Sequence, residues 1–178
     1  SLAGRTDETE QSGIELIGDG SIDADIEVIS MAYEALKRNN VSSFKLELCH
    51  AGFFKSILNK MNITSTQKAD ICKLIEGKNY AALGDMLAKF DDSREADVIK
   101  KLPRLFGDVS VIDEAKKLYS DEKSNEALDY LRNVYEKLCD MGLGDNITID
   151  LGLVNRSNYY TGVIFRGYAE CRVIWTLA

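Results

Sequence analysis

The stretch VNRSNYYTGVIFRGY, residues 154–168, decides the fold because its character changes within a few positions. Its first half is polar and aromatic, and its second half alternates apolar residues as a strand with one buried face does. In a regular strand, Tyr159 and Tyr160 point to opposite faces, and Gly162 allows a close backbone approach. The pattern predicts a strand that begins beside a cleft, although these residues alone favour ordinary cross-strand pairing of aromatic rings.

Two further strands are predicted from the same alternation. FKLELCH, residues 44–50, and NITIDLGLV, residues 146–154, each place their large apolar residues on one face. The polar sequence NRSN, residues 155–158, separates the second of these strands from the next one and predicts a β-hairpin between them.

Two long amphipathic helices are predicted beside the strands. The first begins after Ser21, a good N-cap residue, and keeps apolar residues at helical spacing as far as Leu36. The second covers residues 124–142 and ends at Gly142, a residue that terminates helices well. These elements indicate an α+β fold, in which helices pack on an antiparallel sheet.

Residues 51–122 have a different character and predict a run of short helices without strand signals. The only proline, Pro103, stands where one of these helices should end. We therefore predict a helical insertion over residues 51–122, flanked by the two parts of a sheet domain, residues 1–50 and 123–178.

Composition and charge exclude several functional classes. The net charge of −7 argues against a large nucleic-acid surface, because binding phosphates needs clustered Lys and Arg. No apolar run approaches the roughly 20 residues of a membrane span, and the N-terminus lacks the apolar core of a signal peptide. The four cysteines show no C-x-x-C spacing, and His50 is the only histidine, so no metal site is expected. Scattered thiols indicate a reducing, cytoplasmic compartment.

Gln11 and Glu15 are candidate binding residues because they are four positions apart. In a strand, both side chains project from the same face. An amide and a carboxylate on one face can hold an ammonium group or an imidazole nitrogen. From this pair alone, two solvated surface residues are the stronger interpretation.

Two separated motifs give the chain a family resemblance. GRTDETEQSGIELIG, residues 4–18, resembles the end of motif 2 in class II histidyl-tRNA synthetases. IDLGLVNRSNYYTGVIFRGY, residues 149–168, resembles the histidine-binding signature of that family. The intervening order of helix, strand, insertion, helix and strand also agrees, so the resemblance covers nearly the whole chain. It implies a class II aminoacyl-tRNA synthetase-like antiparallel sheet with packed helices and a helical insertion, in which residues 1–50 and 123–178 are the catalytic-core fragment.

The resemblance also implies which residues would bind histidine. Gln11 and Glu15 match the histidine-contacting pair of the family, and Tyr160 matches its histidine-contacting tyrosine. Tyr159 and Gly162 would complete the wall of the same pocket. The last dozen residues depart from the family pattern.

The activating cations of the family are missing. Asn155 stands where the family signature begins with an arginine, and Arg156 follows one position later, on the opposite face of a strand. Asp7 stands where a second family arginine is expected. Because an acidic residue there would repel a triphosphate, we expect no catalytic residues and no cofactor.

A histidine pocket without activating cations resembles the synthetase paralogues that serve as the regulatory subunit of ATP phosphoribosyltransferase. This resemblance implies a non-enzymatic, cytoplasmic protein of histidine biosynthesis. It would be needed for the activity of that glycosyltransferase, and for feedback by histidine, in the first step of the pathway. Its partners would be the short-form catalytic subunit and L-histidine, in homo- and hetero-oligomers of the intact protein, with no membrane or nucleic acid.

Two alternatives remain open. The chain could be a catalytic-domain fragment of a histidyl-tRNA synthetase, a ligase, if a register shift or bulge let Arg156 replace the displaced arginine. A third, weaker alternative is a synthetase-like protein recruited to another amino-acid-binding task.

Overall fold

The computed structural model describes residues 16, 18–41, 43–90, 93–154, 161–169 and 172–177. Within these ranges the α-helices are α1 Ile22–Arg38, α2 Ala51–Lys60, α3 Ser65–Glu76, α4 Tyr80–Leu87, α5 Arg94–Lys101, α6 Ser110–Leu118 and α7 Glu122–Asp140. The strands are β1 Phe44–His50, β2 Phe106–Gly107, β3 Ile147–Asp150, β4 Val163–Ala169 and β5 Arg172–Leu177. The predicted α+β composition is confirmed.

The five strands form one sheet in the order β2-β3-β1-β4-β5. β1 pairs parallel with β3, and the other neighbouring pairs are antiparallel. The prediction of a hairpin across residues 155–158 is wrong, because β1 lies between β3 and β4.

β3 is also shorter than predicted, since it ends at Asp150 instead of Val154. A turn follows, in which Oδ1 of Asp150 accepts a hydrogen bond from the backbone N–H of Gly152 at 2.9 Å. Gly152 approaches the backbone of the insertion closely, and a Cβ there would stand 3.4 Å from the carbonyl oxygen of Leu102. The remaining apolar residues, Leu151 and Leu153, stay buried without belonging to the strand.

One face of the sheet is apolar and packs against the long helices. Leu46 and Leu48 of β1 are fully buried on this face, as the alternation predicts. Phe44, at the start of β1, meets the ring of Tyr33 in α1 edge to face, with 5.2 Å between ring centroids. The opposite face carries the charged residues of β1, β3 and β4, and any site on the sheet itself lies there.

The two long helices begin and end at the residues that cap them. The hydroxyl of Ser21 accepts from the N–H of Ala24 at 3.3 Å, which confirms the predicted start of α1. α7 starts two residues earlier than predicted, because Asp121 and Ser124 form a capping box there. Gly142 follows α7 with a φ of +85°, a conformation that favours glycine.

The run of short helices predicted over residues 51–122 is confirmed as α2 to α6. Pro103 lies in a short 3₁₀ turn directly after α5, as expected. The predicted absence of strands is wrong, because β2 pairs with the end of β3. Two residues are too few to show the alternation by which a strand is recognised in sequence. The hydrophobic core runs without interruption from these helices to the sheet. The division into domains stays a prediction.

Candidate functional site

The structure describes one of the predicted site residues, Gly162. The other six, and Arg156, lie outside the described residues. These six are Asp7, Gln11, Glu15, Asn155, Tyr159 and Tyr160. Their roles stay predictions from the family motifs.

Gly162 lies directly before β4, at the point where β1 passes into α2. Its carbonyl oxygen accepts a hydrogen bond from the backbone N–H of Ala51 at 2.9 Å. The residue is exposed, and a Cβ at this position would meet no described atom within 4 Å. Among the described residues, nothing fills the space beside Gly162 at the end of the sheet, next to which the family motifs predict the histidine pocket.

His50 forms the end of β1 beside this space, and its role is local. Its Nδ1 accepts from the N–H of Gly52 at 3.1 Å and so caps α2. Its ring stands edge to face with Tyr130 of α7, with 5.4 Å between centroids. Burial lowers the pKa of His50 to about 4, which leaves the imidazole neutral at pH 7. His50 therefore has a local hydrogen-bonding role at the start of α2.

A groove of about 560 Å³ lies between α2 and α7 and reaches Thr161, next to Gly162. Polar side chains from both helices line it, among them Lys55, Asn59 and Lys123. This α2–α7 groove is open to solvent.

A second, smaller space of about 290 Å³ lies over the charged face of the sheet; we call it the polar-face cavity. Its floor is formed by Glu47 of β1, Asp150 of β3 and Arg166 of β4, and its rim by Lys78, Tyr80 and Phe106. Strands of the sheet and residues of the helical insertion thus form the polar-face cavity together.

Arg166 organises the floor of the polar-face cavity. Its Nη2 and Nε donate to Oε2 of Glu47 at 2.9 and 3.3 Å, and its guanidinium lies 4.7 Å from the ring centroid of Tyr168. Oδ2 of Asp150 is 3.8 Å from Nη2 of Arg166, too far for a hydrogen bond. Burial, and then the negative charge of Glu47, raises the pKa of Asp150. The floor can therefore accept a cation or an N–H donor at Asp150.

Comparison with known proteins gives the family. Residues 1–173 match the family model described as histidyl-tRNA synthetase. The chain belongs to the histidyl-tRNA synthetase family. The family resemblance that the two motifs predict is confirmed.

The similar proteins carry a more specific name than the family model. An "ATP phosphoribosyltransferase regulatory subunit" of Clostridium novyi is 44% identical over 95% of this chain, which covers 41% of that protein. A crystal structure of an "ATP phosphoribosyltransferase regulatory subunit/histidyl-tRNA synthetase" from Bacillus halodurans has a TM-score of 0.80 at 32% identity. That match covers 91% of this chain and 43% of the other.

The ATP phosphoribosyl transferase (HisG:HisZ) complex from Thermotoga maritima shares the fold, with a TM-score of 0.66 at 20% identity. That match covers 86% of this chain and 54% of the other. The predicted class II synthetase-like fold is confirmed by these similarities. The chain spans about two fifths of the length of the curated relatives that it matches.

The polar-face cavity was not predicted from the sequence. Asp150 and Arg166 lie within the second motif, residues 149–168, and Glu47 lies roughly 100 positions earlier. Each occupies the polar position of an alternating strand. Such positions usually face water, so their convergence follows only from the strand order. The acidic residue that directly ends β3 was the one available signal.

Proposed function

We propose that the intact protein is the non-catalytic regulatory subunit of an ATP phosphoribosyltransferase in histidine biosynthesis. The observation that carries this proposal is the 44% identity, over 95% of the chain, to a protein of that name. In this role it binds the short catalytic subunit, is needed for the activity of that glycosyltransferase and transmits feedback by histidine. The protein works in the cytoplasm, where the pathway's substrates are.

The sequence departures support the absence of catalysis. Adenylate formation needs cations near the reacting phosphates, where negative charge develops. Asp7 and Asn155 occupy two positions at which the family has arginine. The pocket keeps the groups for recognition, Gln11, Glu15 and Tyr160, with Tyr159 and Gly162 as its walls. A pocket of this kind binds histidine without activating it.

Feedback requires that histidine favours one state of the assembly over another. The homo- and hetero-oligomers of the intact protein provide those states, because a regulatory subunit acts only through its catalytic partner.

Among the described residues, no helix combines the length and the apolar composition that crossing a bilayer requires.

The test uses the full-length protein with the short catalytic subunit. We expect phosphoribosyl transfer to ATP to rise with the concentration of added protein and to fall when L-histidine is added. Gln11→Ala should weaken inhibition by histidine and preserve activation, whereas Asp113→Asn, which removes an exposed carboxylate of α6, should change neither. If the full-length protein does not stimulate phosphoribosyl transfer, the proposal is wrong.

A second function, histidine–tRNA ligation, is favoured by the match to the histidyl-tRNA synthetase family and by the second half of the name of the Bacillus halodurans protein. It requires Arg156 to take the place of the missing arginine. Histidine-dependent exchange of pyrophosphate into ATP separates the two functions. We expect none from the full-length protein, and a clear exchange rate would establish the ligase.

A further inference from the structure

A series of side-chain contacts connects α1, α7 and the end of β1. The hydroxyl of Tyr130, in α7, donates a hydrogen bond at 2.7 Å to Oδ2 of Asp25, in the first turn of α1. The ring of Tyr130 stands edge to face with the imidazole of His50, the last residue of β1. We call these three side chains the Tyr130 bridge. Tyr130 thus contacts the start of a helix and the end of a strand at the same time.

The α1 end of the Tyr130 bridge lies next to the first family motif. Gly18 ends that motif and stands four positions before the first residue of α1. In the short connection, Oδ1 of Asp19 accepts a hydrogen bond from the N–H of Ser21 at 2.8 Å. Burial, and then the carboxylate of Asp25, raise the pKa of Tyr130, and the charge of Asp19 adds to this rise. The connection that follows the first motif therefore lies within electrostatic range of Tyr130.

The β1 end of the Tyr130 bridge lies next to the second family motif. The residue after His50 is Ala51, whose backbone N–H donates to the carbonyl oxygen of Gly162, inside that motif. Thr161 precedes Gly162 and lines the α2–α7 groove together with His50 and Tyr130. A single tyrosine thus connects the elements that carry the two motifs.

The hydrogen bond of the Tyr130 bridge fixes α1 against α7 more closely than their other contacts do. The hydrophobic effect has no direction, so apolar faces hold two helices together without defining one exact position. The ion pair of Lys137 with Asp23 also joins the helices, but its side chains are 49% and 82% exposed and it contributes little. Burial raises the pKa of Asp25, and the hydrogen bond from Tyr130 opposes that rise. The bond therefore stabilises a carboxylate that water solvates only in part.

We propose that Tyr130 is a positioning residue of the histidine pocket and holds the start of α1 in place against the end of β1. The first motif leads into α1, and the second leads into β4 beside β1, so the Tyr130 bridge sets the position of one half of the pocket relative to the other. The inference rests on the proposed function, which assigns histidine to these two motifs. If the halves adopt the binding arrangement only part of the time, the apparent affinity falls by that fraction.

Calorimetric titration of the intact protein with L-histidine tests the proposal. Tyr130→Phe removes the hydroxyl and keeps the ring against His50. We expect the affinity for histidine to fall about threefold to tenfold, because losing one hydrogen bond to a carboxylate reduces the fraction of protein in the binding arrangement. With the catalytic subunit present, the histidine concentration that gives half inhibition should rise by a similar factor.

Tyr119→Phe is the matched control, because it removes another hydrogen bond from a tyrosine to an aspartate. The hydroxyl of Tyr119 donates to Oδ2 of Asp121 at 3.2 Å, directly before α7 and apart from both motifs. This variant should bind histidine as the native protein does, even where it lowers stability by a similar amount. Urea denaturation of both variants shows whether their stabilities match.

Substitutions of Asp25 test the same bond from its other side and keep the test valid if Tyr130→Phe folds poorly. Asp25→Asn keeps an acceptor for the Tyr130 hydroxyl and should retain most of the affinity, whereas Asp25→Ala should lower it as Tyr130→Phe does. Because the two residues share one bond, the double variant should bind histidine no more weakly than either single variant. Additive losses would contradict a shared role.

The outcomes separate this inference from the proposed function. If Tyr130→Phe binds histidine as tightly as Tyr119→Phe does, the inference is wrong while the regulatory function stands. If the affinity depends on Tyr130 but the protein does not stimulate phosphoribosyl transfer, the inference stands and the regulatory function is wrong. A native protein that binds no histidine would overturn both the inference and feedback by histidine.

Discussion

Arg166 connects the three central strands through charge. It extends from β4, donates two hydrogen bonds to Glu47 of β1 and lies 3.8 Å from Asp150 of β3. The side chains of Arg166 and Glu47 are only 17% and 14% exposed. At this depth, removing one partner leaves an uncompensated charge that water solvates poorly.

Arg166→Met should therefore lower the free energy of unfolding by about 3 kcal/mol. The change leaves Glu47 and Asp150 near each other without their shared cation. Urea denaturation of the intact protein measures the loss. Arg132→Met breaks an exposed pair with Asp113 and should change stability by less than about 1 kcal/mol. Equal effects of the two substitutions would contradict this account.

His50 should make stability depend on pH below neutrality. Its pKa falls from 6.5 to about 4 on folding, so the unfolded chain binds more protons between these two values. Stability is then fully retained above pH 6.5 and is lost as the pH falls toward 4. Between pH 7 and pH 5 the loss should be about 2 kcal/mol.

Urea denaturation at both pH values, with His50→Asn as the reference, isolates this contribution. Asparagine is a good N-cap and does not titrate, so it should keep α2 while removing this part of the pH dependence. An identical pH dependence of the two proteins would show that the buried imidazole is not its source.

Single residues could be predicted from sequence where the chemistry is local. Ser21 caps its own helix, and His50 bonds two residues ahead, so both roles follow from neighbouring positions. Glu47, Asp150 and Arg166 have no such signal, because their contacts depend on which strands become neighbours. The histidine-binding residues were predicted from family motifs, and no geometric argument identified any of them.

At the scale of elements, helices were predicted better than strand partners. Helical periodicity and capping depend on residues three or four positions apart, and α2 to α6 appear where the sequence places them. The pairing of β3 with β1 depends on residues about 100 positions apart, and the polar segment after β3 resembles any hairpin turn. The hairpin prediction was therefore wrong because a local turn signal cannot show which strands pair with each other.

The contact between α2 and α7 depends on a glycine. A Cβ at Gly52 would stand 2.9 Å from Nδ1 of His50 and 3.2 Å from Cβ of Ala127. Gly52→Ala should thus separate the helices or displace the cap, and cost about 1 to 3 kcal/mol.

Gly84→Ala in α4 is the matched control, because a Cβ there meets no described atom within 4 Å. It should raise stability by about 0.5 to 1 kcal/mol through helix propensity. Thermal denaturation of both variants gives the comparison, and a stabilised Gly52→Ala variant would refute the close packing.

At the scale of the molecule, the insertion and the sheet share one hydrophobic core. Ile71 of α3 and Leu46 of β1 are both completely buried in it. We therefore predict that the two predicted domains unfold together, in one cooperative step.

Cys49 is a probe of the sheet for this prediction, since it lies in β1 and is 1% exposed. In a variant that keeps only this cysteine, thiol labelling in urea should coincide with the loss of helical circular dichroism. Helix loss at a lower urea concentration than labelling would mean that the insertion unfolds by itself.

The central position of β1 has a consequence for biosynthesis. Its two strand partners among the described residues, β3 and β4, follow it by roughly 100 and roughly 120 positions along the chain. During translation, Leu46 and Leu48 leave the ribosome long before either partner exists. The nascent chain must carry an apolar strand without a place in a sheet, and interactions that are non-local in this way slow folding. A chaperone that shields this segment would therefore be needed most while the insertion is being synthesised.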